Sequence, residues 1–550
     1  MKHLFSRFFN WSHSPSESLG SAALIIAVAG VVSRLLGFIR DRLLASAFGA
    51  GDILDAYYAA FRLPDLVYGF LVLGALSAAF IPIFTEMITT EKKERAWELA
   101  RGVFNLLLLA LGLLALLGIL FAPSLAHWLA PGFTPEKQQL VATLTRIMLL
   151  SPLFLAMSAV FGGILVSFKQ FLAYSFAPIF YNVGIIIGIL FLYPSLGASG
   201  LAWGVVLGSF FHMLIQYPSV REAGFRYRFT LGELWRDPAV LKVVRLMVPR
   251  SLAMAVNQIS LLVVTIFAST LVSGSLAAFT LATNIQSVPL GLFGIALSLA
   301  AFPILASFAA KGDSEKLFTT LTETAHRILY FVLPLSILII IFRAEIVRVT
   351  LGTGEFNWED TITTFQILGL LAISLFAQSL VPLFVRVFFA LQNTRTPLYA
   401  ALLSEIVHIA LIPILLPRLS ALGLALAFSA GTIVNFILLY LFLRSRMKVW
   451  RDRSFFTPAG KMLFAAFVAG AIAQYSKYIF ALAIDRLDTF IEVFLKLSLG
   501  FSIGIAAYIL LSIWLKLPEF KAIEHFFLHR FRRQPETVAS TEDHPEKGDW

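Results

Sequence analysis

Long apolar runs separated by short polar connections recur along the whole 550-residue chain. They lie near 20–48, 56–84, 103–122, 141–166, 172–193, 199–217, 244–271, 276–303, 326–343, 361–390, 398–416, 420–443, 460–483 and 490–515. A helix of about 20 apolar residues crosses a hydrocarbon core of about 30 Å. The runs are apolar on every side rather than at every second position, so they predict helices and not a closed β-barrel. The pattern predicts an all-α polytopic membrane protein with about 14 transmembrane helices. Several runs exceed a straight crossing, which predicts tilt or extension beyond the bilayer.

Composition agrees with the pattern: 59% of residues are hydrophobic and 14% charged, against roughly 25% charged in soluble domains. A soluble multidomain enzyme is excluded. Ala45-Ser46-Ala47 imitates a signal-peptide cleavage site, but Arg40, Asp41 and Arg42 separate it from the apolar stretch, so Ser21 onward reads as a retained first helix. The net charge of +11 is explained by where the cations sit, and no nucleic-acid partner is expected. Segments 1–19, 85–102, 167–171, 218–243, 304–325, 391–397, 444–459 and the tail after 515 hold 26 Lys and Arg, while the alternate connections hold Lys137, Arg348, Arg418 and Arg486. Positive residues resist translocation, which predicts both termini on the cytoplasmic side of the membrane. The chain has no cysteine, which removes disulfides and thiolate metal sites. There is neither a phosphate-binding Gly-x-x-x-x-Gly-Lys-Ser/Thr loop nor a His-Glu-x-x-His motif, so no cofactor, metal or catalytic residue is expected, and the chain does not read as an enzyme.

An internal repeat organises the spans. Ala75-Leu76-Ser77 with Phe80 and Pro82 recurs as Ala296-Leu297-Ser298 with Phe302 and Pro303, and Gly200-Leu201-Ala202, Tyr217 and Arg221 recur as Gly423-Leu424-Ala425, Tyr440 and Arg444. The second set keeps a constant offset of 223. Six helices per copy give two units of the same orientation, related by an axis along the membrane normal. The expected organisation is a cytoplasmic segment 1–19, a first lobe 20–217, a cytoplasmic linker 218–243, a second lobe 244–443, a linker 444–459, two appended helices in 460–515 and a largely disordered cytoplasmic tail 516–550.

Charges inside apolar runs are the sharpest clues, because a central Arg costs about 2.5–3.5 kcal/mol on insertion scales unless it meets a cavity or a partner. The first helix carries Ser33-Arg34 and, after Gly37, Arg40-Asp41-Arg42. Arg34 and Asp41 share a face, with Arg40 about 120° away unless Gly37 bends the helix. Arg250, beginning the seventh helix, is the candidate mate of Arg34 in the second lobe. Guanidinium groups converging from two lobes would bind a multivalent anion such as a diphosphate. An interfacial ion network on the first helix and snorkelling of Arg250 are the plainer alternatives. Asp55, Arg62 and Asp65 either gate the cleft mouth or mark an interface. Asn257, Gln258, Ser260, Asn284, Gln286 and Ser287 supply polar groups that line a cleft or join helices. Glu405 and His408, three apart, form either an ion-coupling pair or a satisfied buried one.

Ser33-Arg34-Leu35-Leu36-Gly37-Phe38-Ile39-Arg40-Asp41, then Phe48-Gly49, Asp55-Ala56, Phe61-Arg62-Leu63-Pro64-Asp65-Leu66 and Gly74-Ala75-Leu76-Ser77 resemble the opening of the MurJ (MviN) lipid II flippases. Gln258-Ile259-Ser260, Thr265 to Ser269 and Gln392 to Pro397 are similar to later family segments. The resemblance implies the multidrug/oligosaccharidyl-lipid/polysaccharide exporter fold, with two six-helix lobes and a polyprenyl-tail groove on two further helices. It implies lipid II, a polyprenyl-diphosphate-linked glycan, as cargo, with Arg34, Arg40, Asp41 and Asp55 as important positions. Membrane lipids and cell-wall synthesis proteins are the other expected partners. The family's paired arginines late in the second helix are replaced here by Tyr68 and Gly69, and its eighth-helix Arg and Glu by Asn284 and Ser287. A flippase for another polyprenyl-linked glycan, a drug or cation antiporter and a non-transporting envelope scaffold are the alternatives. An antiporter would need an acidic cleft.

Overall fold

The computed structural model describes residues 19–70, 80–229, 237–483 and 489–520, and the side chains of these except 19–24, 246–257 and 481–483. The described chain is helical, with no strand among the described residues. The first lobe runs α1 (Leu19–Phe48), α2 (Asp52–Tyr68), α3 (Ile81–Thr89), α4 (Lys93–Leu120), α5 (Ala122–Leu129), α6 (Pro135–Met148), α7 (Ser151–Ser167), α8 (Phe171–Ile187) and α9 (Ala198–Leu214), with a short α10 (Tyr217–Glu222). The second lobe runs α11 (Pro238–Ala268), α12 (Ser275–Pro289), α13 (Ala296–Ala310), α14 (Ser314–Leu351), α15 (Trp358–Ile373), α16 (Leu375–Ala390), α17 (Arg395–Leu419) and α18 (Ala421–Arg446), followed by α19 (Asp452–Ala483) and α20 (Phe490–Trp514). Ten helical stretches among the described residues are long and apolar enough to cross a membrane, or eleven when α15 and α16, bent by 46°, count as one. Each coincides with an expected span. The expected crossing 56–84 includes residues 71–79, outside the described set, and the backbone of 20–48 and 244–271 is described, with part of their side chains outside it.

Several boundaries differ from the sequence reading. The span expected at 141–166 is two helices, α6 and α7, divided at Leu149–Leu150 just before Pro152, whose ring cannot donate to a continuous backbone ladder. The run at 326–343 extends to 38 residues in α14, with a kink at Phe342. The linker expected at 218–243 holds α10 and the start of α11, which Asp237 caps by accepting from Ala239 N at 2.8 Å. The linker expected at 444–459 shrinks to 447–451. Asp452 there pairs with Arg444 at 2.8 Å and accepts from Tyr440 Oη, while Trp450 packs edge-on against Tyr440 and Phe318. The tail beyond residue 520 lies outside the described residues.

The repeat reappears as packing. A side chain added at Gly200 would meet the Leu192 backbone, and one at Gly423 would meet the Leu415 backbone. One at Gly208 would meet the Tyr181 carbonyl, and one at Gly431 would come up against the Ser404 carbonyl. Both correspondences keep the offset of 223, so α8 against α9 and α17 against α18 are copies of one close-packed pair. With no apolar transfer from water to draw helices together inside lipid, close backbone approach at small residues supplies the association. α20 packs on α14 through glycines that receive side chains, with Gly500 beneath the Phe342 ring and Gly504 beneath Leu338, and Gly470 of α19 takes Ile337 in the same way.

Gly204 faces the Gly188 backbone with no room for a Cβ. Gly204→Leu is expected to force α8 and α9 apart and destabilise the first lobe by about 1–3 kcal/mol. A thermal melt of the detergent-purified protein checks this: a lowered midpoint is expected, and an unchanged one refutes the packing.

Candidate functional site

The long α1 lies between the lobes, and its polar residues are placed at three levels. Furthest from the Phe48 end, Arg34 reaches across to α12, where Nη1 donates to the Val288 carbonyl at 3.5 Å. Its guanidinium occupies the space over Gly291, in the π-helical turn Leu290–Ile295, that a larger residue would fill. The repeat-related crossing is made by Gln258 of α11, whose amide covers Gly69. Packing thus makes Gln258 over Gly69 the second-lobe equivalent of Arg34 over Gly291. Arg250 and Asn257 lie on α11, but their side chains fall outside the described residues.

Two turns along α1, a cavity of about 280 Å³ opens between α1 and α2 of the first lobe and α11 and α12 of the second. Arg40, Asp41, Tyr57, Tyr58, Arg62, Asp65, Thr280, Thr283 and Asn284 contribute to its lining. Arg40 donates through Nε and Nη2 to Asp41 Oδ1 at 2.9 and 2.7 Å, and through Nη1 to Asn182 Oδ1 at 3.1 Å. Asn182, on α8, is held in turn by donating to the Ser33 and Pro178 carbonyls. The other oxygen of Asp41 accepts from Asn284 Nδ2 at 3.0 Å, so one carboxylate, 5% exposed, spans both lobes. Arg62, expected beside Asp55 at the mouth, lies seven residues deeper and lines the cavity. It donates to Thr265 Oγ1 at 2.8 Å and Thr280 Oγ1 at 3.4 Å. The charged lining holds two arginines and two aspartates, so a strongly cationic cleft is not what these residues make. Arg40 is ion-paired with Asp41, whereas the bonds of Arg62 run to threonine hydroxyls.

At the Phe48 end the lobes are latched. Asp55, 1% exposed, accepts from the backbone N–H groups of Gly274 and Ala277 at 2.7 and 2.8 Å, capping the start of α12 from the opposite lobe. Lys137 Nζ donates to Asp55 at 2.8 Å and to Asp52 at 2.6 Å, and Ser273 Oγ donates to Asp52 at 2.6 Å. Ala50 N donates to Asp360 at 3.0 Å and Glu355 N to the Ser46 carbonyl at 2.9 Å. A carboxylate at a helix N-terminus satisfies otherwise orphaned donors and the helix dipole together, which suits a latch.

Glu405 and His408 are apart from this cavity. His408 Nδ1 lies 3.1 Å from Glu405 Oε1 and 3.2 Å from Ser260 Oγ, joining α17 to α11, and its Nε2 has no partner among the described residues. Gln286 instead donates to the Leu371 carbonyl at 2.7 Å within the second lobe. The sequence reading missed Asn182, Thr265, Thr280 and Lys137. Asn182 stands four residues after Pro178 in an otherwise apolar run, and that was its available signal.

The fold and cavity define a polytopic helical membrane protein of two lobes around a buried polar chamber. The same architecture occurs in a structure described as a multidrug resistance MATE family transporter of the MOP superfamily in an inward-facing conformation, with a TM-score of 0.64 and 18% identity over 77% of this chain and 98% of that one. It also occurs in a lipid II flippase MurJ in an inward closed conformation, with a TM-score of 0.75 and 24% identity over 90% of this chain and 99% of that one. The family model described as lipid II flippase MurJ matches residues 44–495. A probable lipid II flippase MurJ from Rhizobium meliloti (strain 1021) is 31% identical over 448 residues, 80% of this chain and 83% of that protein. The chain belongs to the lipid II flippase MurJ family.

The cysteine-free sequence permits a direct test of the latch. A single cysteine at Thr283 is expected to be shielded from a membrane-impermeant maleimide applied at the Phe48 end. Adding Asp55→Ala is expected to raise its labelling severalfold. Equal labelling in both backgrounds would show that Asp55 does not hold the lobes together.

Proposed function

We propose that this chain carries lipid II from the inner to the outer leaflet of the bacterial inner membrane by alternating access. The observation that carries the reading is the cross-lobe cavity, in which Arg40 is aimed by Asp41 and Asn182 while Asn284 of the other lobe holds the same carboxylate. Arginine forks suit diphosphate oxygens, and a diphosphate entering here would compete with Asp41 for Arg40. That exchange loosens Asp41 from Asn284 and couples cargo binding to separation of the lobes. Arg34 guards the approach from the cytoplasmic side, and Arg62 supplies a second cation deeper in the chamber.

With both termini in the cytoplasm, the Asp52–Asp55–Lys137 latch lies on the outer side, so this arrangement is shut to the outside. The chamber of about 280 Å³ falls below the roughly 300–1,000 Å³ of small-molecule pockets. It takes the diphosphate, while the glycan and peptide require the lobes to part on the cytoplasmic side. The polyprenyl tail stays in the bilayer against α19 and α20, whose outward faces present Phe467, Tyr475, Ile491 and Leu510. Residues 20–217 and 244–443 then act as the two moving units. Glu405 and His408 stand as the candidate ion-coupling pair, joined through Ser260 to α11.

The test is replacement of a host's own lipid II flippase. The intact chain is expected to restore growth and outer-leaflet lipid II, and Arg40→Ala is expected to reduce translocation by at least about tenfold, the worth of a charged hydrogen-bonded contact. Failure of the intact, membrane-inserted chain to restore either one contradicts the assignment of lipid II as cargo.

A further inference from the structure

The chamber lining carries two arginines and two aspartates, and at the latch one lysine meets two aspartates. Among the described residues, the balance turns cationic where α1, α14, α19 and α20 converge. Arg42, Glu345 and Lys496 each lie six residues from the end of their helix at Phe48, Leu351 and Phe490 respectively, and Lys477 of α19 meets Glu345 directly. Six residues of helix rise about 9 Å, so the four groups share one depth near the latched end of the bundle. Lys477 Nζ pairs with Glu345 Oε1 at 2.7 Å and also donates to the Ile341 carbonyl at 3.2 Å, beside the kink at Phe342. Lys496 Nζ stands 3.6 Å from the same Glu345 oxygen, with its side chain 11% exposed. Arg42 donates to the Val349 carbonyl, one turn from Glu345 on α14, and lies 5.1 Å from the Phe490 ring centroid on α20.

Among the described residues, two ammonium groups thus meet one carboxylate and a guanidinium lies one turn along α14 from it, three cations to one anion. A lysine at this depth ordinarily extends its stem to the interface and keeps its ammonium in water. Lys477 and Lys496 instead turn inward onto Glu345. A sheltered cation without a counter-charge is costly in a membrane protein. Two fixed ammonium groups and a guanidinium fork match the several oxygens and the negative charge of a phosphate.

We propose that Arg42, Lys477 and Lys496 form a second phosphate-binding site, separate from the central chamber, whose ligand is a lipid-linked phosphate at headgroup depth. Resting on the function proposed above, the site lies in the outer leaflet. There it receives either the polyprenyl diphosphate as it leaves the chamber or the headgroup of an anionic phospholipid. Glu345 holds the two ammonium groups while the site is empty and competes with the incoming phosphate.

The test titrates the purified full-length protein with undecaprenyl diphosphate, with phosphatidylglycerol and with phosphate-free diacylglycerol, counting bound lipids by native mass spectrometry. Lys496→Gln is expected to weaken one phosphate-dependent binding event by about tenfold or more, while Lys496→Arg retains it. Glu345→Gln is expected to tighten that event severalfold. A merely structural ion lock predicts the reverse, because removing Glu345 would then loosen the helices and bind nothing better. Weakening by Lys496→Gln of less than about twofold, or weaker binding in Glu345→Gln, overturns the proposal. Sensitivity with undecaprenyl diphosphate identifies the cargo head as the occupant, and sensitivity with phosphatidylglycerol alone identifies a phospholipid; each supports the phosphate site. Arg40→Gln separates the two readings. If it leaves undecaprenyl diphosphate binding unchanged while Lys496→Gln removes an event, the chamber assignment fails and this site stands.

Discussion

One carboxylate joins the two halves of the molecule at its polar centre. Asp41 accepts from Arg40 on one oxygen and from Asn284 of the opposite lobe on the other. In a low-dielectric interior neither an isolated guanidinium nor an isolated carboxylate is tolerable, and removing one partner of such a pair costs several kcal/mol, about 3–5 in measured cases. The lobes are therefore held by a contact that is strong while the chamber is empty and that a competing anion can replace. The orientation of Arg40, the role of Asn182 behind it and the shape of the cavity all follow from keeping that pair intact.

The same constraint explains why the chamber need not be strongly cationic to bind a phosphate. Fixed excess charge would hold any passing anion and would oppose release. An Arg40 already paired with Asp41 gives weaker net attraction but a mechanical consequence, since a ligand that takes it from Asp41 disturbs a contact between lobes. Asp55 at the far latch works by related physics, satisfying the first N–H groups of a helix that belongs to the other half. Around Glu345 the described cations outnumber the one carboxylate they face, which sets that cluster apart from the chamber.

Much of this was legible in the sequence because lipid imposes a narrow grammar. Spanning helices must satisfy their backbone internally, and a charge within an apolar run stands out, so the helices, Arg34, Arg40, Asp41 and Arg62 are visible without coordinates. The duplicated Gly-Leu-Ala segments correspond to duplicated glycine contacts. The linkers were harder to read, because polar residues such as Asp452 make helix starts and aromatic anchors as readily as loops. Arg250 pairs with Arg34 by motif spacing alone, and its side chain lies outside the described residues, whereas packing sets Gln258 over Gly69 as Arg34 sits over Gly291. Asn182 and Thr265 are neutral and common in membrane helices, and only their partners mark them out.

The central claim is that Asp41 restrains Arg40 until a diphosphate displaces it. Affinity for undecaprenyl diphosphate in Asp41→Asn, measured together with lipid II translocation, tests it most directly. Freed from its competitor, Arg40 should bind the diphosphate about tenfold more tightly while translocation falls, because binding no longer releases a cross-lobe contact. Weaker binding in Asp41→Asn, or tighter binding with undiminished translocation, would contradict the account.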